Sequence, residues 1–286
     1  MAVKERWLVM SNCQVAGMTH SLSLICPHAK VESCDYWGFQ HSADFWRQHI
    51  RVYDHIIAIP EFQRLGIVDL AAMPNVFMMP SVYFRAYHPD LQYVFHAGKP
   101  VKSPLDDYHS TIVFAAYQLG CSVARTKALF NEQTYDALCY FSQWDNEKKD
   151  FLDRYAEYDL DFSPELSRWT RAGAFMHSVN HPKAHALHDV ALKVAKKVAG
   201  GAVVESGIVP HDTLVRLPVF PIFPELAERF GVEHGSYLFK GADYDLLTLD
   251  EFIEASFAAY ANFDKSELHG NSPHLTRALQ MIGGEL

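Results

Sequence analysis

An apolar run at residues 7–10 (Trp-Leu-Val-Met) has the length and residue types of a buried strand, and it gives way at once to the polar residues Ser11, Asn12, Cys13 and Gln14. Helix-compatible residues 15–25 follow and stop before Pro27, so the pattern predicts a strand, a tight turn and a helix. The alternation repeats: residues 30–36 read as a second strand, 45–53 as a helix, 54–60 as a third strand, 61–71 as a helix and 75–80 as a fourth strand. This is the βαβα rhythm of a parallel sheet covered on both faces. Right-handed crossovers then bring the strand ends, at Cys13, Tyr36, Pro60 and Ser81, to one rim.

From Pro104 the pattern becomes mainly helical, with helices predicted over 105–119, 122–141 and 147–158 and Gly120 as a break. Ser163 as an N-cap, Pro164 at the first helical position and Glu165 in the first turn predict a helix over 164–174. Asn180-His181-Pro182 has the same form. It predicts a helix from Pro182 to the Gly200-Gly201 pair, with an apolar stripe of Leu187, Val190, Ala191, Val194 and Val198. Residues 209–224 carry four prolines and are expected to be extended or irregular, as a lid or a wrap-around segment. Residues 249–263 and 273–282 predict the last two helices. The expected organisation is a single α/β domain over 1–286. Its sheet portion, 1–104, is SGNH-like or flavodoxin-like, and the mainly helical portion is 105–286.

With 286 residues, 49% of them hydrophobic, the chain can close over a sizeable core. A net charge of -9 argues against a nucleic-acid protein, which needs a positive field to engage phosphates. No stretch approaches the roughly 20 apolar residues of a membrane span, and Met1-Ala2-Val3 leads into a strand instead of a signal-peptide core, so a cytoplasmic protein is expected. The five cysteines form no CxxC pair, and reduced thiols are expected.

The strand-to-helix turn places Cys13 beside the first N–H groups of a helix, whose dipole favours a thiolate. A nucleophile on such a turn is a known catalytic arrangement; the plainer alternative is a small buried cysteine. His181, between Asn180 and Pro182, suits a general base or no more than a helix cap. In His88-Pro89-Asp90 the acid either orients an imidazole or caps a following helix. His177, His181, His185 and His188 cluster in sequence, and the last three share one side of the predicted helix. No HExxH motif or Cys/His quartet accompanies them, so no metal is expected. His185 and Asp189 spell HxxxD, but the residue after the acid is Val190 and not glycine, which marks a coincidence. Arg168 and Arg171, three apart on one helix, and Lys183 are candidates for binding phosphate. Neither GxGxxG nor GxxxxGK[ST] occurs, which counts against dinucleotide and P-loop enzymes.

Asn12-Cys13-Gln14 after the first strand, the Ser81 to His88-Pro89-Asp90 segment, Asp107-Tyr108-His109-Ser110 and Asn180-His181-Pro182 together resemble the WcbI family of polysaccharide-biosynthesis enzymes. Ser11 stands where many members have glycine. The resemblance implies an acetyltransferase that binds coenzyme A as acetyl-CoA and O-acetylates a sugar of a bacterial capsular polysaccharide. On that expectation Cys13 is central and His181 is the first choice of base, with His88 the second and Asp90 an orienting acid. Asn12 and Gln14 would supply amide donors, with Ser81, Tyr108, His109 and Asn180 as further substrate contacts. Arg168, Arg171 and Lys183 would meet coenzyme A phosphates. The alternatives are an SGNH-like cysteine or serine esterase or deacetylase, and a non-catalytic carbohydrate-binding protein in which Cys13 is merely buried.

Overall fold

The computed structural model describes residues 4–199 and 203–284. Strands β1 (Glu5–Ser11), β2 (Ala29–Asp35), β3 (His55–Ala58) and β4 (Val76–Met78) form a parallel sheet in the order β2-β1-β3-β4. Helix α1 (Val15–Ile25) joins β1 to β2, α2 (Tyr36–His41) and α3 (Ala43–His49) lie between β2 and β3, and α4 (Glu61–Arg64) follows β3. The chain steps out from β1 to β2 and returns past β1 to β3, so right-handed crossovers place these helices on opposite faces. β1 is therefore buried on both sides, and its apolar run needs no alternation: Trp7, Leu8, Val9 and Met10 are all buried. Leu8 and Met10 pack with Phe39 of α2, Trp46 of α3 and Phe62 of α4. This is the α/β class, a parallel sheet flanked by helices, that the pattern predicts.

Later helices include α5 (Thr111–Gln118), α6 (Ser163–Arg171), α7 (Ala184–Val198), α8 (Leu249–Tyr260) and α9 (Leu275–Gly283). The chain forms two compact units, neither continuous in sequence. The sheet unit takes Met1–Tyr83, Asp150–Phe175 and Asn180–Leu214; the second takes Phe84–Lys149, Met176–Val179 and Val215–Leu286.

In the sheet unit α1 packs against α7. A Cβ at Gly17 would stand 2.5 Å from Leu187 Cδ2 and 3.3 Å from Thr213 Oγ1, so any larger residue there requires the Leu187 side chain to shift. Leu187, Val190, Ala191 and Val194 are buried as the stripe predicts, and Val198 is half-buried. In the second unit α5 is buried from Thr111 to Ala116 and packs against α8 and α9. Phe239 stacks on Phe252 of α8 with ring centroids 3.9 Å apart. α8 opens with a capping box, Thr248 and Glu251 each serving the other's backbone N–H.

Several element boundaries differ from the pattern, each for a local reason. The helix expected over 61–71 is one turn, because the chain turns left-handed at Gly66 with φ of 64°. That expected over 105–119 begins at Thr111, since residues 103–108 form tight turns with Asp106 at φ 61°. The region 122–141 splits into Val123–Lys127 and Glu132–Ala137, where the Asn131 side chain accepts the Thr134 N–H and starts a new helix. Ser163 is the first residue of α6 and not its cap. Residues 209–223 are irregular apart from one bridge at Val219, and Pro224 opens the helix Pro224–Phe230. Gly200 and Gly201, the predicted stop of α7, lie outside the described residues, as do Met1, Ala2 and Val3. Among the described residues no helix is long and apolar enough to cross a membrane.

Candidate active site

The parallel register pairs Ser11 with Asp35, Met10 with Ala58 and Ala58 with Met78, so the carboxyl ends of all four strands reach one rim. Open α/β sheets bind their ligands at that edge. The turn after β1 is held by Asn12: its carbonyl accepts the Val15 N–H at 3.0 Å, and its Oδ1 accepts the Gln14 N–H at 3.1 Å and the Cys13 thiol at 3.8 Å. This Asx turn leaves Cys13 just outside α1, whose N-cap is Gln14. The Asn12 Nδ2 donates to none of the described residues.

The Gln14 side chain is buried, and its amide is fully committed. Its Nε2 donates to the carbonyls of Val82 at 2.7 Å and Asn180 at 2.9 Å, and its Oε1 accepts the Val82 N–H at 3.0 Å. The Cys13 turn, the loop after β4 that holds half-buried Ser81, and the segment before His181 therefore meet at one amide. That geometry corrects the expectation that Gln14 donates to substrate, since both of its N–H bonds are already used.

Burial pushes the Cys13 thiol up to about 11, outweighing the opposing pull of the N–H groups of Cys13 and Gln14. Desolvation of the charged form therefore opposes the helix dipole at this half-buried thiol.

His181 is buried and lies in the short strand His181–Pro182, ahead of α7. α7 begins at Ala184 with Lys183 at its N-cap, and the Ala184 N–H goes to Asp212 Oδ2 at 3.1 Å. Asn180 is accordingly not the cap. A distant aspartate does that work, which the local pattern could not indicate. Burial lowers the Lys183 pKa, with Asp212 opposing.

Of the histidine cluster only His185 and His188 are helical; His185 is exposed and His188 is buried. Among the described residues no group of three or more His, Cys, Asp or Glu could hold a metal ion. Arg168 and the Trp169 indole both donate to Asp189 Oδ2 at 2.6 Å, which ties the HxxxD acid into the α6–α7 packing. A groove of about 520 Å³ beside them is lined by Arg168, His185, Asp189, Lys193 and Lys196 among others, and Cys13 does not line it. Arg168 and Arg171 also border an open depression with Pro164 and Ser167.

The remaining candidates belong to the second unit. His88 and Asp90 are buried. Asp90 Oδ1 accepts the Ile112 N–H at 3.0 Å and the Tyr140 hydroxyl at 2.8 Å, and its carbonyl accepts the Thr111 N–H, so it supports the first turn of α5 beside the N-cap Ser110, whose Oγ accepts the Val113 N–H at 3.1 Å. His109 is fully buried: Nε2 faces the Val101 carbonyl at 2.9 Å as donor, and Nδ1 accepts from Tyr260 at 2.8 Å. Burial pushes its pKa down to about 4, and neither ring nitrogen is left for a substrate. Ser178 donates to the Tyr108 hydroxyl at 3.0 Å.

The family model for the polysaccharide biosynthesis enzyme WcbI matches residues 6–200. The chain belongs to that family. The match takes in every segment that carries the sequence resemblance, from Asn12 to Pro182. A solved WcbI structure aligns over 99% of this chain and 96% of its own, with a TM-score of 0.68 at 12% identity, so the fold is shared. It is described as a novel polysaccharide biosynthesis enzyme, in its native form without a disulfide bond between coenzyme A and one of its cysteines. No curated protein matches the chain.

Val82 and Asp212 are the participants that the sequence did not disclose. Val82 acts through its backbone, which carries no residue signal, and Asp212 lies in a proline-rich stretch whose course the periodicity does not fix.

Proposed function

We propose that this WcbI-family enzyme is a coenzyme A-dependent O-acetyltransferase acting on a sugar hydroxyl in bacterial capsular polysaccharide biosynthesis. The observation that carries this reading is the Cys13 turn at the carboxyl rim of the parallel sheet, tied through Gln14 to the segment that holds His181. The description of the solved WcbI protein, which names coenzyme A together with one of its cysteines, in a form without a disulfide bond between them, supports the donor.

A thiol pushed up to about 11 is protonated at neutral pH and a poor nucleophile. That favours direct transfer over an acetyl-cysteine. His181 takes the proton of the sugar hydroxyl as its oxygen attacks the thioester carbonyl. Asn12 Nδ2 and the backbone N–H of Cys13 donate to the oxygen that gains charge. The carbon–sulfur bond then breaks, and His181 returns the proton to the leaving thiolate. Arg168, Arg171 and Lys183 are proposed contacts for the donor's phosphates, and Ser81 and Asn180 for the acceptor. His88 with Asp90, Tyr108 and His109 are the weaker candidates, because Asp90 and His109 are committed to internal partners.

The test is acetyl transfer from acetyl-CoA to capsular sugars by wild type, Cys13→Ala and His181→Ala, with mass spectrometry of the protein. Direct transfer calls for loss of about 10²-fold or more in the histidine variant and no acetyl group on Cys13. An acetylated Cys13 on the turnover path would overturn the direct mechanism, and release of acetate to water alone would favour the esterase.

A further inference from the structure

We infer that Gln14 is a positioning residue: its amide sets the His181 segment and the Ser81 loop against the Cys13 turn. This deepens the acyl-transfer reading and rests on it. The Gln14 amide makes three hydrogen bonds, at 2.7, 2.9 and 3.0 Å, all to backbone groups of Val82 and Asn180. Two of those groups are carbonyls, which demand a donor, and one is an N–H, which demands an acceptor. Only an uncharged amide of this length meets all three at once. The backbone of Gln14 is fixed in turn, because its N–H goes to Asn12 Oδ1 and its carbonyl accepts the Met18 N–H. Asn180 and Val82 each stand next in sequence to a proposed site residue, His181 and Ser81. The amide is therefore the side-chain link through which α1 registers both segments, and it does so without touching a substrate.

Gln14→Ala removes the link, whereas Gln14→Glu makes it depend on protonation. An ionised glutamate would face two carbonyl oxygens with no proton to offer. A protonated one donates to one carbonyl while still accepting from Val82, and burial pushes such a carboxyl upward. The experiment measures transfer from acetyl-CoA across pH 6 to 8 for wild type and both variants, with iodoacetamide alkylation of Cys13 and calorimetric binding of coenzyme A alongside.

The expected result for Gln14→Ala is a kcat lower by about 10²-fold, the order set by displacement of a catalytic group by an ångström, with coenzyme A affinity kept. Cys13 alkylation in that variant rises by about tenfold as the turn opens to solvent. The activity of Gln14→Glu relative to wild type climbs as the pH falls. A Gln14→Glu profile parallel to wild type, or Cys13 alkylation unchanged in Gln14→Ala, would overturn the inference. If wild type binds no coenzyme A, the acyl-transfer reading fails, and the alkylation rates still decide whether Gln14 holds the turn. If Gln14→Ala does not fold, the activity of Gln14→Glu relative to wild type at pH 6 and at pH 8 carries the comparison.

Discussion

Tyr140 donates its hydroxyl to the buried carboxylate of Asp90 at 2.8 Å, on the same oxygen that accepts the Ile112 N–H of α5. Burial nevertheless pushes the Asp90 carboxyl up to about 6 from its ordinary 3.8, against the pull of those hydrogen bonds. The folded chain thus holds this proton more tightly than the unfolded chain does. Between pH 3.8 and 6 folding takes up a proton, so the Asp90 contribution falls as the pH rises, by about 3 kcal/mol over that window. Asp90→Asn keeps an acceptor for Ile112 and Tyr140 but cannot ionise. Urea unfolding from pH 4 to 7 is expected to show the variant gaining on wild type as the pH rises. Parallel pH curves would contradict the burial argument.

Cys13 should behave as a hindered, protonated thiol. With its pKa pushed up to about 11, its alkylation rate is expected to stay low at pH 7 and to keep rising through pH 10. Mass spectrometry of the peptide containing residues 12–14 follows it directly. A rate that levels off below pH 8 would show a stabilised thiolate, and the covalent mechanism would regain its place.

Gly17 of α1 faces Leu187 of α7. Gly17→Ala puts a Cβ 2.5 Å from Leu187 Cδ2, and overpacking of this kind costs about 1–3 kcal/mol. In a Leu187→Ala background the same substitution should cost less, because the opposing methyl is gone and only the Thr213 Oγ1 contact at 3.3 Å remains. Equal costs in the two backgrounds, read from a double-mutant cycle, would mean that the helices do not meet there.

The parallel sheet was legible because its signal is local. The buried run of β1 and the polar turn at residues 11–14 lie within eight residues of one another, and strands at residues 29–35, 55–58 and 76–78 fall where the pattern places them. The α8 start falls at Leu249, where the pattern places it, and the structure adds a capping box from Thr248 to Glu251 that the pattern reading did not use. What stayed hidden was settled at long range. The start of α7 depends on Asp212, 28 residues downstream, and the first turn of α5, though capped locally by Ser110, takes a second acceptor from Asp90, 22 residues upstream of Ile112. The candidate residues Cys13, Gln14 and His181 could be picked out by type, but their roles could not. Gln14 reads as a donor for substrate until its partners are seen to be Val82 and Asn180, and Cys13 reads as a thiolate until the desolvation of its half-buried thiol is weighed.

The most direct test of the central claim is calorimetric titration of coenzyme A and acetyl-CoA into the wild-type protein, Cys13→Ala and His181→Ala. Micromolar binding to wild type, about 8 kcal/mol, is expected, together with variants that still bind while His181→Ala loses turnover. Absence of binding by either ligand to folded wild-type protein would contradict the acyltransferase reading and leave the esterase or the sugar-binding protein in its place.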